Sequence, residues 1–237
     1  MMRIVTYLIA IIVTALIILF PLSQRLPRLS RDYAVAELTH TAEMVEADIQ
    51  DLQNRLADQL AGLSSVIAQD RDFAMKLIVQ HDTSAPEVTE MAERYMKPMD
   101  FSVLEITTAG GLVLSSGHFP GQTGNLTDEQ IPLLDSTAAF TVDNIRGREM
   151  LTFQRRIGFE AAGSRYYCSG GLIVDSSFVA MIQPRKDVRL LVQHGSEVIG
   201  MDIKSMSEIQ NNEIIINDTT WLAARISVPA GGPTEPV

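Results

Sequence analysis

Two apolar patterns meet in residues 4–66, and together they decide the organisation of the chain. Residues 4–24 read IVTYLIAIIVTALIILFPLSQ and carry no formal charge. A helix rises about 1.5 Å per residue, so a run of this length matches a hydrocarbon layer of about 30 Å. The run therefore predicts a transmembrane anchor at residues 1–24.

Residues 38–56 read LTHTAEMVEADIQDLQNRL and follow the second pattern. Their apolar residues recur at alternating spacings of four and three, at Leu38, Ala42, Val45, Ile49, Leu52 and Leu56. Leu63 and Val66 extend this seam after a polar exception at Gln59. Such a seam is typical of a coiled coil or of a helix packed along one narrow face. We expect a stalk helix over residues 25–68 that forms a parallel homodimer, with an intramolecular helix pair as the alternative.

The flanks of the anchor give conflicting signals. The apolar run exceeds the core of a signal peptide, about 7–15 residues, and no small-x-small cleavage site follows it, so an uncleaved anchor is favoured. Arg3 precedes the run, and Arg25, Arg28 and Arg31 follow it. Counted alone, these arginines favour a cytoplasmic body, although the rule weakens for a long translocated domain. The membrane orientation stays open at this point.

The composition excludes several classes of function. The 29 acidic residues outnumber the 19 basic ones and give a formal net charge of −10, which argues against nucleic-acid binding. The single cysteine, Cys168, excludes an internal disulfide and a multi-cysteine metal site. Its place in an apolar strand indicates a small buried hydrophobic residue.

After Pro98 the apolar period changes from helical to alternating, which predicts strands. Five strands are expected at residues 101–107, 112–116, 140–145, 149–159 and 166–175, with an insert between the second and the third. Short turns join most of them, so neighbouring strands should be antiparallel. The fold class is α+β. We expect one domain over residues 69–183 and a smaller, membrane-proximal α/β lobe over residues 184–237 that looks truncated.

Three stretches carry a resemblance to a known family. They read AQDRDFAM at residues 68–75, LEITTAGGLVLSSGHF at residues 104–119 and WLAARISVP at residues 221–229. With the order of helices, strands and second lobe, they resemble the extracytoplasmic PAS-like sensor domains, often called Cache domains, of bacterial transmembrane sensor histidine kinases. The resemblance implies a PAS-like five-stranded sheet with flanking helices at residues 69–183. It also implies a bacterial inner-membrane location with a periplasmic body.

The resemblance implies a small-molecule ligand without identifying it. The Arg-x-Tyr-type carboxylate motif of dicarboxylate and amino-acid Cache sensors is not found at the expected place, so no carboxylate ligand is implied. The candidate ligand contacts are Arg155, Arg156, Tyr166, Tyr167 and His118. Adjacent strand residues point to opposite faces of a sheet, so one member of each pair can face a pocket. His118 closes the first predicted hairpin, where the mouth of a PAS-like pocket would lie.

Catalytic motifs are missing from the sequence. It has neither a Gly-x-Ser-x-Gly elbow nor a phosphate-binding glycine loop. The four histidines, His40, His81, His118 and His194, lack metal-ligand spacing. We therefore expect no catalytic residue, no metal and no cofactor in this segment, and the parent protein that the resemblance implies is a protein histidine kinase.

The leading interpretation is the signal-sensing segment of a two-component sensor histidine kinase. Ligand binding would shift the packing of the stalk helices, and the motion would reach a cytoplasmic output and a response regulator through downstream domains. A chemoreceptor or a cyclic-nucleotide-signalling enzyme could carry the same domain. The Gly-Gly-Pro stretch at residues 231–233 looks like a turn into a further strand, which predicts a longer native chain.

The alternative class is a bitopic inner-membrane scaffold subunit of a pilus or secretion machine. Such subunits also combine one anchor, a coiled coil and a small α+β domain. Five strands in PAS order favour the sensor, whereas a natural end at Val237 would favour the scaffold.

Overall fold

The computed structural model describes residues 2–79, 82–127, 133–161, 163–183, 188–194, 197–200, 205–207, 209–210 and 212–226, with the backbone alone for residues 2–30, 78, 79, 133, 194 and 197. The helices are α1 Met2–Gln69, α2 Arg71–Ala74, α3 Pro86–Thr89, α4 Met91–Met96, α5 Leu133–Ser136 and α6 Ser176–Ile182, with a π-helical turn at Met75–Val79 and a 3-10 turn at Pro120–Gln122. The strands are β1 Val103–Thr108, β2 Val113–Ser116, β3 Ala139–Ile145, β4 Arg148–Ala161, β5 Ser164–Ile173, β6 Val192–His194, β7 Glu197–Ile199, β8 Glu213–Ile216 and β9 Thr219–Leu222.

The chain divides into two compact units. One contains the described residues of 1–44 and 203–225, and the other contains those of 45–202 and 226–237. The β8–β9 hairpin belongs to the first unit, where Arg31 forms a salt bridge with Glu213 at 2.9 Å. Residues 45–68 of the predicted stalk therefore share a unit with the five-stranded sheet.

One face of α1 is buried in the unit that contains the sheet. The buried positions are Val45, Ile49, Leu52, Leu56, Leu60, Leu63 and Ile67. They advance 22 residues in six steps, and about 3.7 residues per step is the period of a straight α-helix, not the 3.5 of a coiled coil. We call these seven residues the α1 stripe.

The α1 stripe changes the interpretation of the predicted dimer seam. From Val45 to Leu56 the seam residues pack in the hydrophobic core of their own unit, with the sheet and not with a second helix as the intramolecular alternative expected, while Leu38 and Ala42 are partly buried. Of the two residues that extend the predicted seam, Leu63 is buried in the α1 stripe, but the polar exception at Gln59 and the position of Val66 do not belong to it. Leu60 and Ile67 are buried in their place, and Val66 is 49% exposed. The burial leaves α1 no free heptad face from Val45 to Leu56.

The five predicted strands form one antiparallel sheet of order β2-β1-β5-β4-β3, which confirms the α+β class. Arg146 and Gly147 join β3 to β4 with φ of 53° and 83°, as a tight two-residue hairpin turn requires. The small hairpins β6–β7 and β8–β9 form two separate two-stranded sheets.

Side chains on each strand alternate between the two faces of the sheet. On β5, a Cβ atom at Gly170 would meet Leu60 Cδ2 of α1 at 2.9 Å and Leu104 Cδ1 of β1 at 3.0 Å. Glycine at this position therefore lets α1 lie directly on the strand. Cys168, two residues earlier, is fully buried on the same face beside Ser64 of α1. Ser169 lies between them and points to the opposite face, which α1 leaves uncovered.

No helix among the fully described residues is long and apolar enough to cross a membrane. The predicted anchor at residues 1–24 lies outside that set, because only its backbone is described.

The position of Leu60 on the sheet predicts a contrast between two neighbouring alanine variants. Leu60 is fully buried, so Leu60→Ala should lower the free energy of unfolding by about 2–5 kcal/mol through lost burial and a cavity. Gln59→Ala removes an exposed side chain and should change it by less than about 0.5 kcal/mol. Urea unfolding followed by circular dichroism measures both. Equal losses would contradict the α1 stripe.

Candidate functional site

A cavity of about 420 Å³ lies on the sheet face that α1 leaves uncovered. Its walls come from all five strands, the loop after β2 and helix α5. Most of the lining side chains are polar, and they are Glu105, Thr107, Val113, Gln122, Asn125, Leu126, Thr127, Leu134, Thr141, Val142, Asp143, Gln154, Arg156 and Ser169. A space of this size holds a small metabolite.

The loop after β2 forms one wall of the cavity because backbone hydrogen bonds fold it back on the first hairpin. The Thr127 N–H and hydroxyl both donate to the Gly111 carbonyl, at 2.8 and 2.9 Å. Val113 N–H donates to the Asn125 carbonyl at 2.9 Å. Gly111 has a φ of 83° and lies against Thr127, so a side chain there would be strained and crowded.

Three titratable side chains, Glu105 on β1, His118 after β2 and Asp143 on β3, form the polar centre of the site. His118 is 3% exposed, and its Nε2 lies 3.4 Å from Asp143 Oδ2, at ion-pair distance but outside hydrogen-bond geometry. Its Nδ1 accepts a hydrogen bond from the Leu104 N–H at 3.4 Å. Because β2 and β3 are the two edges of the sheet, this contact curls the sheet around the cavity.

The surroundings shift the pKa of each of these three groups. Burial, with a smaller effect of the nearby Asp143 carboxylate, raises the pKa of Glu105 to about 7. Burial alone would lower the pKa of His118, but Asp143 and Glu105 outweigh it and raise that pKa. Burial would raise the pKa of Asp143, but His118 and a hydrogen bond of 3.0 Å from Gln154 Nε2 lower it. The charge of the site therefore changes near neutral pH.

Arg156 on β4 is the basic group of the cavity, and it is held by an acidic partner. Asp135 of α5 accepts hydrogen bonds from its Nε and Nη2 at 2.6 and 3.0 Å. The guanidinium lies 4.8 Å from the ring centroid of Tyr167, a cation–π contact. Among the described residues, no group hydrogen-bonds the remaining nitrogen, Nη1.

The structure separates the residues that the sequence predicts as ligand contacts. Arg156 lines the cavity, and the Tyr167 ring stacks on the Arg156 guanidinium. His118 does not line the cavity itself but contacts the lining residue Asp143. Arg155 and Tyr166 follow the opposite alternation and lie on the α1 face. Tyr166 packs edge-on against Phe73, with ring centroids 6.0 Å apart. These two residues therefore do not line the cavity.

Sequence reasoning missed Glu105, Asp143 and Gln154 as lining residues. Each is a polar residue inside a strand that directly follows an apolar residue, which was the available signal. Their convergence depends on the curl of the sheet, which alternation along single strands does not reveal. Within the described part of the chain, no group of three or more His, Cys, Asp or Glu side chains could hold a metal ion.

Comparisons with known proteins give matches among solved structures alone. No family model and no curated protein matches the chain. Among solved structures, the sensor domain of the Vibrio cholerae histidine kinase DctB matches with a TM-score of 0.47 and 11% identity, over 66% of this chain and 62% of that one. The chain thus spans less than two thirds of the DctB domain.

Two further solved structures are of the same kind. The isoleucine-bound sensory domain of the Campylobacter jejuni chemoreceptor Tlp3 matches with a TM-score of 0.44 and 10% identity, over 72% of this chain and 71% of that one. The E. coli DcuS sensor domain matches with a TM-score of 0.39 and 16% identity, over 54% of this chain and 94% of that one. These matches are all sensor or sensory domains, the kind of domain that the sequence resembles. At these identities the likeness concerns the fold and transfers no ligand.

The raised pKa of Glu105 predicts a loss of stability as the pH rises. Between about pH 4.5 and about 7 the folded state keeps a proton on Glu105 that the unfolded state has released, so unfolding is favoured by rising pH. The wild type should lose up to about 3 kcal/mol across this window through Glu105. Glu105→Gln should remove most of that loss, whereas Glu149→Gln at an exposed position of β4 should keep it.

Urea unfolding at about pH 5 and about pH 8 measures this difference. His118, whose pKa is also raised, contributes stability that is lost over the same rise, so a smaller loss should remain in the variant. An identical pH dependence in wild type and Glu105→Gln would contradict the buried position of Glu105.

Proposed function

We propose that this chain is the extracytoplasmic signal-sensing segment of a two-component sensor histidine kinase, and that it binds a small molecule in the cavity. The observation that carries the proposal is a polar cavity on the sheet face opposite α1. A closed structural scaffold has no need of a polar-lined space of about 420 Å³.

The two-faced sheet gives a route from ligand to helix. Ser169 of β5 faces the cavity, while its neighbours Cys168 and Gly170 face α1. A ligand that moves β5 therefore changes the surface on which Leu60 packs. Packed interfaces favour discrete arrangements, so the signal is a shift between two packings of α1 on the sheet.

The rest of the proposal concerns the membrane and the partner chain. Residues 1–24 form the anchor in a bacterial inner membrane, and the body is periplasmic. A homodimer forms through the stalk, with Leu38 and Ala42 as its contacts in place of the buried residues from Val45 onward. The kinase output and the response regulator belong to a further segment of the native protein.

A panel of candidate compounds tests binding in the cavity. The full chain is heated with amino acids, dicarboxylates, sugars and small amines, and a bound compound at about 100 times its Kd should add about 2.7 kcal/mol of stability and raise Tm. Ser169→Phe fills the cavity from its floor and should abolish the shift. Ser65→Phe, an exposed position on α1, should retain it.

Two outcomes would contradict the proposal. One is a panel in which no compound raises Tm of the wild type. The other is a shift that survives Ser169→Phe, which would place the binding outside this cavity.

A further inference from the structure

The charges of the cavity do not balance. Its described charged lining groups are Glu105, Asp143 and Arg156, and Arg156 is already neutralised by the two hydrogen bonds to Asp135. His118 lies 3.4 Å from Asp143, so it is paired with that carboxylate and acts on Glu105 only as a nearby charge. Among the described residues, no hydrogen-bond donor and no ion-pair partner reaches the Glu105 carboxylate.

An unpaired buried acceptor in the cavity wall points the same way. The Oε1 atom of Gln122, another lining residue, is buried without a hydrogen-bond partner among the described residues. The cavity wall also presents hydroxyl groups of Thr107, Thr127 and Thr141, which can accept as well as donate. Buried acceptors without partners are costly, and a ligand rich in N–H donors would satisfy them.

We propose that the cavity binds a small organic cation, whose ammonium group contacts Glu105 and takes Asp143 as its second carboxylate. This inference rests on the proposed function and adds the chemical class of the ligand. An ammonium group supplies the positive charge that Glu105 lacks and donates up to three hydrogen bonds. An anionic ligand would instead be repelled by Glu105 and Asp143. Arg156, the basic group that could attract it, is already paired with Asp135.

Binding of a cation should depend on pH in a defined direction. The groups that face Glu105 are Asp143 on β3, His118 after β2, and Arg156 on β4 with Asp135 of α5. As the pH falls below about 7, Glu105 takes up a proton and loses its charge, while His118 gains one. Both changes disfavour the positive charge of the ligand, so the affinity for the cation should decrease as the pH decreases.

The test is titration calorimetry of the full chain in a neutral detergent, with methylamine, ethanolamine and putrescine as probes. Ethylene glycol and glycolate serve as the uncharged and anionic counterparts of ethanolamine. At least one amine should bind about tenfold more tightly at about pH 8 than at about pH 6. Glu105→Gln and Asp143→Asn should each weaken it at least tenfold, and the exposed Glu149→Gln should leave it unchanged.

The results separate this inference from the proposed function. Binding of glycolate, ethylene glycol or another panel compound, abolished by Ser169→Phe, with no amine bound, would overturn the cation and leave the sensor. Amine binding that Glu105→Gln does not weaken would also overturn the inference. If no compound of either set binds, both proposals fail. Glu105→Gln removes a charge that is partly buried without a partner among the described residues, so it should fold at least as well as the wild type and keep the test decisive.

Discussion

The packing of the α1 stripe on one face of the sheet is the interaction on which the rest of the structure depends. Seven apolar side chains, spaced close to the period of an α-helix, are buried in the core of this unit, where Leu60 lies against β1 and β5. Leu60 reaches the strand because residue 170 is glycine. Side chains alternate between the two faces of a strand, so the polar residues between the buried apolar ones lie on the opposite face of the sheet. The cavity forms on that face.

The polar face of the sheet forms the cavity, where its side chains are partly removed from water. A strand with one apolar face buries its polar face only where hydrogen bonds and ion pairs compensate the loss of water. Asp135 compensates Arg156, and His118 approaches Asp143 from the opposite edge of the sheet. Glu105 has no such partner among the described residues, and its raised pKa is the physical consequence. A site with one uncompensated carboxylate near neutrality can respond both to a ligand and to protons.

Much of the fold could be predicted from the sequence because its signals are local. Alternation and glycine turns such as Arg146–Gly147 defined the five strands and their antiparallel hairpins. The prediction of a heptad seam rested on an ambiguous spacing. Four-and-three spacing from Leu38 to Leu56 fits both 3.5 and 3.6 residues per turn, and only the burial of Leu60 in place of the Gln59 position distinguishes them.

The site was predictable only in part for a related reason. Adjacent pairs such as Arg155–Arg156 must split between the two faces, but alternation alone does not say which member faces the cavity. Glu105 and Asp143 lie on strands that are not neighbours in the sheet, and the curl that brings His118 to Asp143 is a tertiary property. The pairing rules for single hairpins do not predict how strongly a whole sheet curls.

A disulfide between α1 and β5 would test the central packing most directly. Ser64 Oγ lies close enough to the Cys168 thiol to lower its pKa against the larger effect of burial, although the two atoms do not meet hydrogen-bond geometry. Ser64→Cys should therefore form a disulfide with the native Cys168 when the reduced, unfolded protein refolds in an oxidising thiol buffer, detected by mass spectrometry of the digested protein. Ser65→Cys, whose side chain is exposed, should not. A free thiol at both positions, or a bond in Ser65→Cys alone, would contradict the placement of α1 on the sheet.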